Sequence, residues 1–252
     1  MARASRLLLA AVTAPRGLTA SEAARELGLA VPTTHHLLNT LVAEGLLAKD
    51  SGRRYGAGPR LAVLAEAYLR SDRVPEYLLD PLQTLAQDTG ETAYLAAWRG
   101  GEIRALASVE GTSPVRVGGV QRGPYRHAHA RATGKLLLAL ADADRRDAYL
   151  AANPPAPMTA RTISDRAALE LELERIRRQG YAVDVEEFIE GVACVAAPIL
   201  EHGLLVASFT LSAPADRFAR NRAGLVAAVR AAAASVGAAA RWHDVPQSPE
   251  AA

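Results

Sequence analysis

Three sets of residues in this 252-residue chain have types and spacings that could do chemistry. Cys194, His129 and Asp184 could be drawn as nucleophile, base and orienter. Cys194, however, lies in the apolar run Val192 to Val195, with no strand-to-helix elbow to expose it. A buried, inert thiol is the commoner fate of such a cysteine, so the chain reads as a non-enzyme. The same three residues with Glu186 and Glu187 could supply metal ligands. No two of them have a tight ligand spacing of the His-x₃-His or Cys-x₂-Cys kind. The acidic stretch from Asp184 to Glu187 reads instead as a solvated turn, and neither a metal nor a cofactor is expected. The third set is Ser21, Thr33, Thr34, His35, His36, Asn39 and Thr40, followed by Arg53 and Arg54. It is rich in hydrogen-bonding groups and poor in acidic charge. On a helix, such groups match the donors and acceptors that base edges offer in a major groove. Two arginines in a nearby turn would meet the phosphate backbone.

The elements that must position this third set are legible in order. Residues 3–13 form a first helix, with Leu7, Leu8, Ala11 and Val12 on one side. Pro15, Arg16 and Gly17 break it. Thr19 and Glu22 have capping-box spacing for a short second helix over 20–27, with Leu18 and Ala23 placed for a hydrophobic staple. Gly28 ends that helix, where a tight turn favours positive φ. A third helix begins near Pro32, a residue suited to the first helical turn. Leu37, Leu38, Leu41 and Val42 are its apolar stripe. Gly45 stops it, residues 46–48 begin a strand, and Asp50-Ser51-Gly52 turns the chain into a wing carrying Arg53 and Arg54. Helix, capped helix, glycine turn, proline-started helix and hairpin together make a winged helix-turn-helix.

Composition agrees with this reading. Residues 1–60 carry eight Lys/Arg and four Asp/Glu, a balance of +4, whereas the remainder carries −2. A basic head on a slightly acidic body suits a polyanionic partner. The single cysteine excludes an intramolecular disulfide framework, and no apolar run approaches the ~20 residues that span a bilayer. Arg3 and Arg6 before the apolar residues 7–12 faintly imitate a signal peptide. There is no convincing cleavage site, so the segment reads as a helix of a cytoplasmic protein.

The rest of the chain is mixed. Residues 59–70 read as a connecting helix and 75–88 as another amphipathic helix. Strands are expected over 92–98 and 103–109, joined by a hairpin at residues 99–102, with a third short strand at 115–117. Residues 118–126 look irregular. Helices are expected over 132–141, 143–151, 165–178 and 216–242, and a second strand pair over 192–199 and 204–212. Leu169, Leu173 and Ile176 share a face of the 165–178 helix, and Glu174 and Arg178 have i,i+4 spacing. Helices mixed with antiparallel strands give an α+β fold of two domains.

From about residue 4 to 241 the chain resembles the IclR family of bacterial transcription regulators. The residues that carry this are the head LTASEAARELGLAVPTTHHLLNTLVAEGLLAKDSGRRYGAGPRL, the block His129 to Lys135 (HARATGK), and the stretches GYAVD at 180–184 and GVACVAAP at 191–198. The resemblance implies a winged helix-turn-helix DNA-binding domain over 1–58, a linker helix over 59–74, and a GAF/PAS-like effector-binding and oligomerisation domain over 75–246. A disordered tail at 247–252 is expected. It implies double-stranded operator DNA as partner, a small organic effector, and a homodimer or dimer of dimers on a palindrome. Repression is the commoner behaviour of such regulators. By position, Arg131, Ala132, Thr133 and Gly134 would bring backbone N–H groups to the effector at a helix start. Asp184, Val192 and Cys194 would face the pocket, and Thr210 and Ser212 would add hydroxyls. Arg131 stands where the family usually has a small residue. Pointing inward, it would favour a carboxylate; pointing outward, it would only be solvated. Residues 118–127 are longer and more basic than the family pattern, so their part in the pocket wall is open. A body that only oligomerises or binds a metal is the alternative.

Overall fold

The computed structural model describes residues 2–70, 74–201 and 203–239. The chain forms two compact units, Met1–Ser71 and Asp72–Ala252. In the first unit, α1 (Ala2–Thr13), α2 (Ala20–Leu27) and α3 (Val31–Ala43) precede a two-stranded wing. Thr19 caps α2 as its spacing predicts: Glu22 N donates to Thr19 Oγ1 at 3.2 Å, and Thr19 N donates to Glu22 Oε2 at 2.8 Å. Leu18 and Ala23 meet in the same core. Gly28 closes α2 at φ 65° and donates its N–H to Ala24 O, the left-handed cap for which glycine has no steric cost. Pro32 lies in the first turn of α3. The wing strands β1 (Leu47–Lys49) and β2 (Tyr55–Ala57) pair antiparallel, Leu47 opposite Ala57. Leu7, Leu38, Leu47 and Tyr55 are buried together. Helix α4 (Pro59–Arg70) follows.

In the second unit a 3₁₀ turn (Glu76–Leu78) leads into α5 (Leu79–Thr89), β3 (Thr92–Arg99) and β4 (Glu102–Val109). Then come β5 (Gly123–Pro124), α6 (Ala132–Leu140), α7 (Ala143–Ala152), α8 (Arg166–Gln179) and β6 (Ala182–Val185). The unit closes with β7 (Val192–Glu201), β8 (Leu204–Pro214), α9 (Ala215–Arg220) and α10 (Arg222–Ala239). The sheet order is β5-β4-β3-β8-β7-β6, and every described pair is antiparallel. Successive strand residues face opposite sides, and both sides are covered. Leu95, Val195 and Phe209 pack with α5 and α10. Tyr94, Cys194 and Ala196 pack with α6, α7 and α8, where Leu169, Leu173 and Ile176 are fully buried. The α+β architecture is as expected.

Four local expectations are corrected. Residues 115–117 form no strand; the sheet edge is Gly123–Pro124, paired with Ala105 and Arg104. The stretch from Asp184 to Glu187 is not a solvated turn: Asp184 and Val185 belong to the edge strand β6, whose Ala182, Val183 and Asp184 are buried, and Glu186 and Glu187, both half-buried, form the bend after it. The last helix is broken at Asn221, whose carbonyl accepts from Leu225 N and starts α10 afresh. Glu174 pairs with Arg177, three residues on, rather than with Arg178. The expected tail 247–252 and the end of the last helix lie outside the described residues.

Candidate functional site

The first unit presents one polar helix face. Thr33, His35, His36, Asn39 and Thr40 are exposed on α3, and Ser21 is exposed on α2. Thr34 is not part of this face. It is fully buried, its hydroxyl donates to Ala30 O at 3.1 Å, and the helical period places it beside Leu38. Thr40 donates to His36 O at 3.0 Å. Asn39 is held at both ends: its Nδ2 lies 3.0 Å from His35 Nδ1, and its Oδ1 accepts from Tyr55 OH at 3.1 Å. Nothing in the sequence marks Tyr55 as a neighbour of this face; it reads as an ordinary aromatic on a wing strand.

The wing arginines differ from expectation. Arg53 is exposed at the turn, at φ 60°. Arg54 folds back instead. Its Nη1 donates to Gly17 O at 2.9 Å, and the guanidinium makes two 3.2 Å bonds to Glu22. The sequence hides this because the capping carboxylate of Glu22 is 32 residues away in the chain. Thr19, through its backbone and its hydroxyl, and then Arg54 hold that carboxyl below its ordinary range. The expected division of labour follows. Arg53→Ala should weaken binding to every DNA sequence and lower the salt slope by about 1. Arg54→Ala should instead lower the melting temperature of the first unit. Salt-dependent binding isotherms and thermal unfolding of the two variants check this.

The second unit holds a cavity of about 270 Å³. Asp184 on β6 pairs with Cys194 on β7, which pairs with Ser212 on β8, so the three form one row on the sheet. Cys194 Sγ lies 3.0 Å from Ser212 Oγ, and burial pushes the thiol up to about 12. Such a thiol is a poor nucleophile. His129 bonds Ala156 O at 2.8 Å, so no nucleophile–base pair forms with Cys194. Tyr94 and Tyr125 join hydroxyls at 2.9 Å, and Phe188, Ile189, Val192 and residues 117–121 complete the wall. The irregular segment is therefore part of the wall. Arg131 also lines the cavity. Its guanidinium carbon lies 3.5 Å from the Phe188 ring centroid and 4.3 Å from that of Tyr125, and its Nε is buried with no hydrogen-bond acceptor. The inward alternative for Arg131 is the one observed.

Four expected pocket residues sit behind the wall. Thr133 and Thr210 are fully buried and bond each other, hydroxyl to hydroxyl, at 2.6 Å. Ala132 is fully buried. A side chain on Gly134 would stand 2.2 Å from Ala128 O, so glycine there serves close packing of α6 on the preceding turn. Ala132, Thr133 and Gly134 begin α6 at the expected helix start and Thr210 lies on β8, but none of the four lines the cavity, where contacts to an effector were expected.

Asp184 is 2% exposed, and burial is the main cause that raises its carboxyl to about 7, against an ordinary 3.8. Its Oδ1 accepts from Glu187 N at 2.7 Å. The folded state therefore holds this proton to higher pH than the unfolded chain does, and stability should fall as pH rises from about 4 to about 7. Asp184→Asn keeps an acceptor for Glu187 N and should remove that part of the slope. Urea unfolding of both proteins across this range checks it.

Lys135 enters the sequence reading only as the end of the HARATGK block, with no role attached to it. It is fully buried in α6, and its Nζ donates to both Glu187 oxygens at 2.5 and 2.6 Å, with Glu172 at 3.7 Å. It thereby anchors the segment that carries Phe188 and Ile189.

The bacterial transcriptional regulator IclR C-terminal model matches residues 66–238, and the IclR helix-turn-helix domain model matches residues 1–51. The HTH-type transcriptional regulator Rv1719 of Mycobacterium tuberculosis is 34% identical over 92% of this chain and 88% of its own length. The crystal structure of Thermotoga maritima IclR is 27% identical, with a TM-score of 0.59 over 94% of this chain and 97% of that one. An IclR homologue from Microbacterium hydrocarbonoxydans, complexed with 4-hydroxybenzoate, shares the fold at 24% identity, with a TM-score of 0.58 over 96% and 99% of the two chains. With the polar face of α3 and the wing in one unit and a cavity in the other, the chain belongs to the IclR family of DNA-binding transcriptional regulators and is not an enzyme.

Proposed function

We propose that this regulator is a repressor whose operator affinity is set by a small carboxylate-bearing compound held in the cavity of the second unit. The observation that carries the reading is Arg131. It brings a cation to the cavity, flanked by Tyr125 and Phe188, and leaves a buried Nε without an acceptor. An anion arriving there gains charge-assisted, bidentate hydrogen bonds. Asp184, Cys194 and Ser212 face the same space and supply polar groups for the rest of the ligand. Arg131 also takes the N-cap position of α6 without a side-chain cap bond, so the field of the helix start favours the same charge.

DNA is bound by Ser21, Thr33, His35, His36, Asn39 and Thr40, with Arg53 on the phosphate backbone. One short helix reads few bases, so two copies of the chain on a palindromic operator multiply the readout. The ligand can shift operator affinity only by binding two arrangements of the protein unequally. Residues 59–74 are the covalent route between the units. The Microbacterium homologue makes 4-hydroxybenzoate a reasonable first probe. Calorimetry on the full chain with 4-hydroxybenzoate, benzoate and short aliphatic acids tests the reading. Saturable binding of at least one acid, absent for its amide, is expected; no binding by any of them up to millimolar concentration counts against it.

A further inference from the structure

The chain Tyr55, Asn39, His35 links the buried base of the wing to the exposed face of α3. Tyr55 is 1% exposed, its backbone bonded to Leu18 in both directions. Its ring cannot shift without disturbing the core of the first unit. Its hydroxyl donates to Asn39 Oδ1 at 3.1 Å and pins the plane of that amide beside the wing. With its oxygen on Tyr55, Asn39 turns Nδ2 to His35, and the neutral ring accepts at Nδ1 across 3.0 Å. In the neutral ring the proton then sits on His35 Nε2, which is left as a donor.

We propose that Tyr55 is a positioning residue for base readout, its hydroxyl holding the plane of the Asn39 amide, and through it the His35 ring, in the geometry that meets an adenine edge. The geometry leaves Asn39 one N–H and one oxygen lone pair unused. That donor and acceptor side by side fit adenine N7 and N6, the bidentate pairing asparagine makes in a major groove. His35, one helical turn earlier, offers a single donor for a neighbouring base with an acceptor edge, for which guanine N7 and O6 are suited. Without the tether the amide is free to rotate out of that plane, and its donor and acceptor no longer meet one base edge together. The inference rests on α3 being the DNA face.

The test is selection of binding sites from random duplex DNA by the full chain, for the wild type, Tyr55→Phe, Asn39→Ala and Asn39→Asp. The wild type should enrich an adenine in each half-site, favoured at least about 5-fold over other bases. Tyr55→Phe removes only an oxygen. It should keep the salt slope and its affinity for mixed-sequence DNA while losing most of the adenine preference. Asn39→Asp keeps an acceptor for Tyr55 and should move the preference toward cytosine, whose amino group donates. All selections are run below the melting temperature of Tyr55→Phe, so that its readout survives a loss of stability. An adenine preference that Asn39→Ala abolishes but Tyr55→Phe leaves intact overturns the tether. An unchanged site from Asn39→Ala overturns the placement of α3 on the bases instead.

Discussion

Arg131→Gln is expected to abolish the response to carboxylates. The substitution removes the charge, the bidentate fork and the stacking on Phe188 and Tyr125 at once. Truncating one partner of a buried, hydrogen-bonded charge pair costs about 2 kcal/mol or more, so ligand affinity should fall by roughly 30-fold or more. The fold should tolerate it, since the two ring contacts contribute only about 0.5–1 kcal/mol each. Calorimetry of the variant against its best wild-type ligand, beside a thermal unfolding curve, separates the two effects. Undiminished affinity would place the anion elsewhere.

Lys135→Met is expected to destabilise the second unit severely. It leaves Glu187 and Glu172, with side chains 12% and 11% exposed, without their shared cation. Breaking a buried pair from one side costs about 3–5 kcal/mol. Burial already raises the Glu187 carboxyl, and Lys135 is the chief opposing influence. Without the lysine, Glu187 should protonate more readily in the folded state. An acid whose folded pKa is raised loses stability as pH rises, so the deficit should be smaller near pH 5 than near pH 8. Adding Glu187→Gln should restore part of it. Because Glu187 N also bonds Asp184, and Phe188 follows directly, ligand affinity should weaken with stability. Urea unfolding of the single and double variants at both pH values checks the sign and the size.

Much of the first unit is legible in the sequence because its signals are local. Thr19 and Glu22, Gly28 and Pro32 act within one turn of chain, and each sits where its spacing places it. The parts that were not legible depend on partners far along the chain. Arg54 meets Glu22 and Gly17, and Tyr55 meets Asn39, only once the wing folds back on the helices. Thr34 reads as polar, yet helical period alone would have placed it with Leu38 inside. In the second unit the long strands and α8 announce themselves by apolar pattern. Strand β6 does not, since its apolar start is two residues long and runs into Asp184. The break at Asn221 had only a local mark, asparagine being a favoured helix N-cap, and the apolar pattern on either side of it runs on unchanged. The direction of Arg131 could not be read either. It is decided by Tyr125 and Phe188, six residues before it and 57 after.

Whether the first unit grips duplex DNA, and whether a ligand in the second unit alters that grip, is tested most directly in one titration. The full chain is added to the intergenic DNA beside its own gene at low ionic strength, with and without the best-binding carboxylate. A site bound at least about 10³-fold more tightly than mixed-sequence DNA is predicted, with affinity that drops when the acid is added and holds when Arg131→Gln is used. Binding no tighter than to mixed-sequence DNA, or a specific complex indifferent to every acid that enters the cavity, would contradict it.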